Sequence, residues 1–202
     1  MKNVNRPLLI VLFVLSILFT NTQLYAQVLD QDGTNLNKPE TEKSIEIYWN
    51  IKAYNPSWGL LKVKAIDKEG NIYPIKAIQD SEDTGLLNVK ALVNGVRVAV
   101  KLIVKENDRF YPVKAIMSDG TILDVKAIDE DGEIIDIKGI SKTGNIVHIR
   151  AIRPQTVLYN IVAVSPDGKV NDVKGIKLMT EEVETVLHGV KVFAHIKALK
   201  QN

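Results

Sequence analysis

The chain has 202 residues with 26 basic and 24 acidic side chains, which gives a formal net charge of +2. Lys2 and Arg6 lie in the first 26 residues, where no acid occurs, so the rest of the chain carries 24 basic and 24 acidic side chains. A neutral remainder argues against nucleic-acid binding, which normally needs a net basic domain. The absence of cysteine excludes disulfides, thiolate metal sites and a cysteine-linked lipid anchor.

Residues 1–26 have the three parts of a secretory signal peptide: basic residues, a mainly apolar run from Leu8 to Phe19, and a short polar stretch ending at Ala26. We expect cleavage near Ala26 and a periplasmic or extracellular location. The alternative is an uncleaved anchor, but the run is shorter than the roughly 18 to 20 apolar residues that a span needs. No second run of that length follows, so we expect no transmembrane segment in the mature chain.

Residues 27–43 are polar, rich in turn formers and without periodicity, which is typical of a flexible leader. A single β-repeat domain is expected over residues 44–202, a length that suits one domain with a sizeable core.

A short pattern recurs through this domain: an aliphatic residue, a lysine, an alanine and a second aliphatic residue. Its copies are IKAY at 51, VKAI at 63, IKAI at 75, VKAL at 89, VKLI at 100, VKAI at 113 and 125, IKGI at 137, IRAI at 149, IVAV at 161, VKGI at 173 and IKAL at 196. Turn segments such as 67–70 and 129–132 separate the copies and end in glycine. Internal repeats of this kind predict an all-β fold, an antiparallel up-and-down meander of about 12 short strands.

The turns also predict which residues face each other on adjacent strands. We place three-residue loops ending at Gly120, Gly132 and Gly144, and a two-residue turn at Asn94-Gly95, the strongest hairpin signal in the chain. The predicted pairs are Ile128 with Ile134, Lys126 with Asp136, Asp124 with Lys138, Lys114 with Asp124, Asp136 with Arg150, Lys90 with Ala99, and Asn88 with Lys101.

Each predicted strand has two unlike faces. One face is wholly apolar, as at Leu123, Val125 and Ala127, and the other carries a central polar ladder. A sheet with one apolar face must close or fold over, and we expect a flattened barrel or a two-layer sandwich. A hollow lipid-carrying barrel and a single-layer sheet are the alternatives. An outer-membrane barrel fits poorly, because these strands are shorter than the roughly 9 to 11 residues required.

Residues 178–189 break the period and allow a helix or a hairpin. Val183, Val186 and Leu187 have helical spacing, but His188-Gly189 resembles the turn at Asn94-Gly95. We favour the hairpin, followed by a last strand over residues 190–199.

Motifs for catalysis or metal binding are weak. The DxDG-like turns at 129–132 and 31–33 lack the distal glutamate of a calcium loop. His148, His188 and His195 have no metal-ligand spacing. The sequence has no nucleophile or phosphate-loop motif, so we expect a non-catalytic protein without cofactor or metal.

The lysines of the repeat are the most distinctive functional candidates, as a row that could meet an anionic ligand. The alternative is a ladder neutralised by Asp124, Asp136 and Asp172. Pro74, Asn88, Ala99 and Pro112 stand where such acids would be in the N-terminal half, so unpaired positive charge is expected there. The candidate row is Lys52, Lys62, Lys64, Lys76, Lys90, Lys101 and Lys114.

The VKAI repeat, together with the signal peptide ending in YAQ, resembles a family of small uncharacterised exported VKAI-repeat proteins of Gram-negative bacteria. The likeness covers about residues 45–199 and implies a domain of unknown function. We expect a structural or interaction role at the cell envelope, with an envelope polysaccharide or another envelope protein as partner. The alternatives are a carrier of an apolar ligand inside a closed barrel and a binder of anionic glycan through the lysine row.

Overall fold

The computed structural model describes residues 46–105 and 110–201. The predicted signal peptide (1–26) and leader (27–43) lie outside the described residues, as does the DxDG-like turn at 31–33.

The described chain forms one antiparallel sheet of 13 strands, with one short 3-10 turn and no α-helix in those residues. The strands are β1 (Ile47–Asn55), β2 (Gly59–Ile66), β3 (Ile72–Gln79), β4 (Leu86–Val93), β5 (Val96–Ile103), β6 (Tyr111–Ile116), β7 (Ile122–Ile128), β8 (Ile134–Thr143), β9 (Ile146–Arg153), β10 (Val157–Val164), β11 (Val170–Ile176), β12 (Thr185–Leu187) and β13 (Val190–Lys200). The predicted all-β meander is confirmed. The sheet closes on itself as a barrel, which leaves the two-layer sandwich with less support.

Tight turns join strands that follow each other in the chain. At the β2–β3 turn the Gly70 amide donates to the Asp67 carbonyl at 3.2 Å, and Gly70 has a φ of +88°, a conformation that favours glycine. Between β4 and β5, Asn94 and Gly95 both have positive φ, as a type I′ hairpin turn requires.

The strand pairing branches, which an ordinary meander does not do. β2, for example, pairs with β7 over Lys62–Ile66, while its other edge is divided between β1 and β3. β1 and β3 also pair with each other, so the three strands meet as a triangle. The same holds for three other sets of strands.

We name the four sets triplets A to D. Triplet A contains β1, β2 and β3; triplet B contains β4, β5 and β13; triplet C contains β6, β7 and β8; triplet D contains β9, β10 and β11. Every triplet is joined to each of the others by one pair of strands: β1–β10, β2–β7, β3–β4, β5–β6, β8–β9 and β11–β13. The connectivity is that of the corners and edges of a tetrahedron.

This branching explains which predicted pairs are right. Pairs near a turn are confirmed: Ile128 with Ile134 and Lys126 with Asp136, Lys114 with Asp124, and Lys90 with Ala99. Two pairs further from the turn are wrong, because the hairpin strands separate there and a third strand enters. Lys138 faces Pro112 instead of Asp124, and Asn88 faces Lys197 instead of Lys101.

The predicted pair of Asp136 with Arg150 is wrong for a different reason. The loop expected to end at Gly144 is a two-residue turn at Gly144-Asn145, with Thr143 opposite Ile146. This turn moves the register by three residues, and a bulge between Gly139 and Ser141 moves it back by one, so that Arg150 lies opposite Lys138 and Ile152 opposite Asp136. A bulge changes the pairing by inserting an extra residue into one strand.

The twelve long strands each send one central side chain to the middle of the domain. The cavity between them has a volume of about 10 Å³, no more than about one water molecule needs. The twelve residues are Ile51, Val63, Ile75, Val89, Val100, Val113, Val125, Ile137, Ile149, Ile161, Val173 and Ile196. The centre of the barrel is therefore filled by aliphatic side chains.

The next inward position along each strand is alanine in nine of the twelve strands and fully buried in all nine. The exceptions are Leu102, Gly139 and Gly175. Leu102 is fully buried, and its methyl groups fill the space that a β-carbon would take at either glycine. One large and two small residues thus compensate each other in the core.

The segment before β13 is a hairpin, as the sequence favours. β12 pairs with β13, with Leu187 opposite Val190, and His188 and Gly189 in the turn both have positive φ. Lys177 anchors the preceding loop: its ammonium donates to the Glu181 carbonyl and lies 4.1 Å from the Phe193 ring centre.

Candidate functional site

The lysines of the repeat lie on the outer face of the triplets in a common arrangement. Each triplet presents three residues at the lysine position and three at the position where the sequence predicts an acid. Each lysine position faces one acid position across a strand pair. The pairs are 52/62, 64/74 and 76/50 in triplet A, 90/99, 101/195 and 197/88 in B, 114/124, 126/136 and 138/112 in C, and 150/160, 162/172 and 174/148 in D.

In triplet C two aspartates pair with the three lysines and neutralise most of their charge. Lys126 donates to Asp136 at 2.5 Å and lies 3.6 Å from Asp124, while Lys114 donates to Asp124. Lys138 lies 3.4 Å from Asp136. Burial opposes ionisation of Asp124, but the hydrogen bond from Lys114 and the nearby charges lower its pKa. The hydrogen bond from Lys126 lowers the pKa of Asp136, against the effect of burial.

The two carboxylates should therefore contribute to the acid sensitivity of the fold. A pKa lowered by folding stabilises the native state above the unfolded pKa of about 3.9, and this stabilisation is lost as pH falls through the folded pKa. We expect Asp124→Asn/Asp136→Asn to lose about 1 kcal/mol at pH 6, allowing for solvent exposure, and to lose less further stability between pH 5 and pH 2. Urea unfolding at each pH measures this, with Asp80→Asn as control. If the variant and the unaltered protein lost the same stability between pH 5 and pH 2, the two carboxylates would not be a source of the acid sensitivity.

Triplet D is partly neutralised. Lys174 lies 3.1 Å from Asp172, and the third lysine position is occupied by Val162. Burial, followed by the charges of Lys174 and Arg150, lowers the pKa of His148.

Triplet A carries positive charge without any acid. Lys52, Lys62, Lys64 and Lys76 occupy four of its six positions, and Asn50 and Pro74 occupy the others. These six residues line an open depression of about 160 Å³. The Lys76 ammonium donates to Asn50 Oδ1 at 2.6 Å. Burial, followed by the charges of Lys76, Lys52 and Lys62, lowers the pKa of Lys64.

Triplet B has Lys90, Lys101 and Lys197 at its three lysine positions and Asn88, Ala99 and His195 opposite them. The Lys101 ammonium lies 2.7 Å from His195 Nδ1, and Lys197 donates to Asn88 Oδ1. Burial, followed by the charges of Lys90 and Lys197, lowers the pKa of Lys101 to about 8. Burial also lowers the pKa of Lys90.

The candidate row from the sequence is thus divided among three triplets. Lys52, Lys62, Lys64 and Lys76 lie in A, Lys90 and Lys101 lie in B, and Lys114 lies in C, where Asp124 neutralises it. Sequence reasoning omitted Lys197 and His195, although the IKAL copy at 196 contains Lys197.

Triplets A and B are continuous on the surface, because Lys76 of β3 lies directly opposite Lys90 of β4. We call Lys52, Lys62, Lys64, Lys76, Lys90, Lys101 and Lys197 the lysine surface. Within residues 46–105 and 110–201, none of these lysines is within 4.0 Å of a carboxylate oxygen.

The other candidate sites from the sequence are the turn at 129–132 and the histidines. The 129–132 turn is a structural one: Asp129 accepts from the Glu133 amide at 2.8 Å and pairs with Arg153. No three His, Asp or Glu side chains of the described ranges are grouped so that they could hold a metal ion. The described part of the chain also contains no helix long and apolar enough to cross a membrane.

Comparison with known proteins gives a family but no named relative. No curated protein matches the chain, and no solved structure matches it. The model of a family of unknown function, DUF7486, matches residues 45–199, which is most of the chain and includes every triplet. The chain therefore belongs to the family of unknown function DUF7486.

Proposed function

We propose that this protein is a non-catalytic, exported binding protein of the Gram-negative cell envelope, and that it holds an anionic polysaccharide on the lysine surface. The observation that carries the proposal is the contrast between triplets at equivalent positions. Lys114 and Lys126 in triplet C have carboxylate partners, whereas the seven lysines of triplets A and B face lysine, proline, asparagine, alanine or histidine.

Unpaired charge of this kind is unfavourable for the folded protein alone. Like charges directly opposite each other on adjacent strands destabilise a sheet, and Lys52 faces Lys62 within triplet A. Basic side chains also face each other where triplets join, as Lys76 does with Lys90 and Lys138 with Arg150, so a carboxylate within the triplet is what offsets this repulsion. A polyanion would relieve this repulsion and release its own counterions. Triplet C shows that a carboxylate fits at the position facing a lysine and offsets its charge. The lack of a carboxylate at these positions in triplets A and B therefore favours a binding role.

A polysaccharide suits the surroundings of triplet A. Tyr54 follows Lys52 on the outer face of β1 and is 40% exposed, and Leu60, directly opposite it, is 53% exposed. Trp58, in the turn between them, is 59% exposed. Exposed aromatic rings offer flat apolar surface with a polar edge, against which the apolar face of a sugar ring can pack beside the lysines.

Carriage of an apolar ligand inside the barrel has less support. The closed barrel is compatible with it, but the central side chains leave about 10 Å³ between them. A lipid would enter only if the core opened.

Binding of alginate, with neutral dextran as control, tests the proposal. We expect saturable binding to alginate that weakens steeply with added salt, because each neutralised lysine releases counterions. Lys64→Glu/Lys76→Glu should weaken it at least tenfold. Lys142→Glu/Lys169→Glu makes the same change of charge outside the lysine surface and should alter it less than twofold. Binding without salt dependence, or equal binding by the two double variants, would overturn the proposal.

A further inference from the structure

Triplet B differs from triplet A in the symmetry of its charges. Its three lysines come from three different strands, β4, β5 and β13, and each occupies the same position relative to the point where the strands meet. Lys90, Lys101 and Lys197 are all half-buried. Lys52, Lys64 and Lys76 of triplet A are half-buried as well, but the exposed Lys62 adds a fourth charge there that breaks the threefold arrangement. Triplet B therefore concentrates three ammonium groups at one partly desolvated place.

The facing residues hold these lysines without neutralising them. His195 Nδ1 lies 2.7 Å from the Lys101 ammonium, and Asn88 Oδ1 accepts from Lys197. Ala99, opposite Lys90, offers no polar atom. Each ammonium has three donors, so donors remain on all three lysines after these contacts.

We propose that triplet B is a binding site for one tetrahedral oxyanion, a phosphate or sulfate group, held by the ammonium groups of Lys90, Lys101 and Lys197. Three donors placed around a threefold point match the three oxygens on one face of a tetrahedral oxyanion. A carboxylate has only two oxygens and would leave one lysine without a partner. The site goes beyond the polysaccharide proposal, because it needs only a single isolated anion.

The burial of the site also makes its charge depend on pH in an accessible range. The pKa of Lys101 is about 8, chiefly because of burial, so the third positive charge is present at pH 7 and mostly lost at pH 9. Burial, followed by the charge of Lys101, lowers the pKa of His195, which favours the neutral ring as hydrogen-bond acceptor. Three basic residues face the site from neighbouring strands: Lys76 opposite Lys90 on β3, Lys114 opposite Lys101 on β6 with its partner Asp124, and Lys174 opposite Lys197 on β11 with its partner Asp172. The other charged groups nearby are Arg97 with its partner Glu46, and Glu184 near His195.

Inorganic sulfate is the appropriate probe, because it does not change charge between pH 6 and pH 9. We expect titration of the purified protein at constant ionic strength to show one saturable site, detected by the NMR signals of the lysine ammonium or adjacent methylene groups of Lys90, Lys101 and Lys197. The affinity should fall about tenfold from pH 7 to pH 9, the effect of losing one charge-assisted hydrogen bond. A parallel titration with inorganic phosphate at pH 7 shows which oxyanion the site prefers.

Two variants locate the site. Lys197→Met should weaken sulfate binding at least tenfold, and Lys101→Met should both weaken it and remove its dependence on pH. Lys52→Glu/Lys62→Glu, which alters triplet A at two residues that do not face triplet B, should keep sulfate affinity within about twofold. Unsaturable shifts, equal losses in the triplet A and triplet B variants, or constant affinity between pH 7 and pH 9 would overturn the inference. If the unaltered protein bound sulfate at triplet B but did not bind alginate, only the polysaccharide proposal would be overturned.

Discussion

Replacing Gly175 with alanine is expected to destabilise the protein by about 1 to 3 kcal/mol, although alanine stands at the equivalent position in nine of the twelve long strands. A β-carbon at Gly175 would lie 2.5 Å from Leu102 Cδ1 and 3.1 Å from Val147 Cβ. Neither neighbour can move freely, because Leu102 and Val147 are both buried in the core. Urea unfolding followed by circular dichroism gives the change in the free energy of unfolding.

Truncation of Leu102, alone and together with Gly175→Ala, makes this prediction specific. Leu102→Ala should cost about 2 to 5 kcal/mol, because it leaves a cavity against Gly139 and Gly175. In Leu102→Ala/Gly175→Ala the new methyl group occupies part of that cavity, so the double variant should be more stable than Leu102→Ala alone. Ala127→Gly, at the equivalent position of β7 opposite Val63 and Ile135, should lose stability whether or not Leu102 is present. Effects that add within about 0.5 kcal/mol for Leu102 and Gly175 would contradict the compensation.

The same three positions show what the sequence could and could not predict. Leu102, Gly139 and Gly175 are visible as departures from the alanine of the repeat. Their contact is not, because it depends on how strands from triplets B, C and D converge in the centre. Composition and periodicity specify which face is buried, but they do not specify which distant strands meet on it.

The strand register has the same limit. A turn determines the first pairs of its hairpin, and the pairs closest to the turns at Asn94-Gly95 and 129–132 are confirmed. Further along, the separation of the two strands is required by closure of the sheet, and no local residue signals it. The sequence therefore predicted the elements and the local pairing, but not the branching that creates the triplets.

The sequence predicted most residues of the candidate site, but it did not predict how they are grouped. Pro74, Asn88, Ala99 and Pro112 indicated that the acids are absent in the N-terminal half, and the first three lie in triplets A and B. Pro112 lies in triplet C, where the lysine opposite it, Lys138, pairs with Asp136, so the expectation of unpaired charge is wrong there. Lys197 and His195 complete triplet B from the far end of the chain. Grouping them with Lys90 and Lys101 requires the pairing of β13 with β4 and β5, which the meander did not include.

Lysine-to-methionine changes at two equivalent positions should have opposite effects on stability. Lys126 in triplet C lies between two carboxylates, so Lys126→Met leaves Asp124 and Asp136 close together and should cost about 1 to 2 kcal/mol, allowing for their exposure. Lys101 in triplet B lies among Lys90, Lys197 and neutral His195. Lys101→Met should stabilise the protein at pH 7 by about 1 kcal/mol, discounted because the side chain is partly exposed.

The pH dependence separates this electrostatic effect from a packing effect. Folding lowers the pKa of Lys101 to about 8, so the unfolded chain binds more protons between pH 8 and about 10.5, and the stability of the unaltered protein should rise over that range. The advantage of Lys101→Met should therefore be constant below pH 8 and shrink above it, as measured by urea unfolding. An advantage that persists at pH 10 would indicate better packing by methionine. A loss of stability at pH 7 would show that triplet B tolerates its charge without strain, and would remove the electrostatic argument for a ligand there.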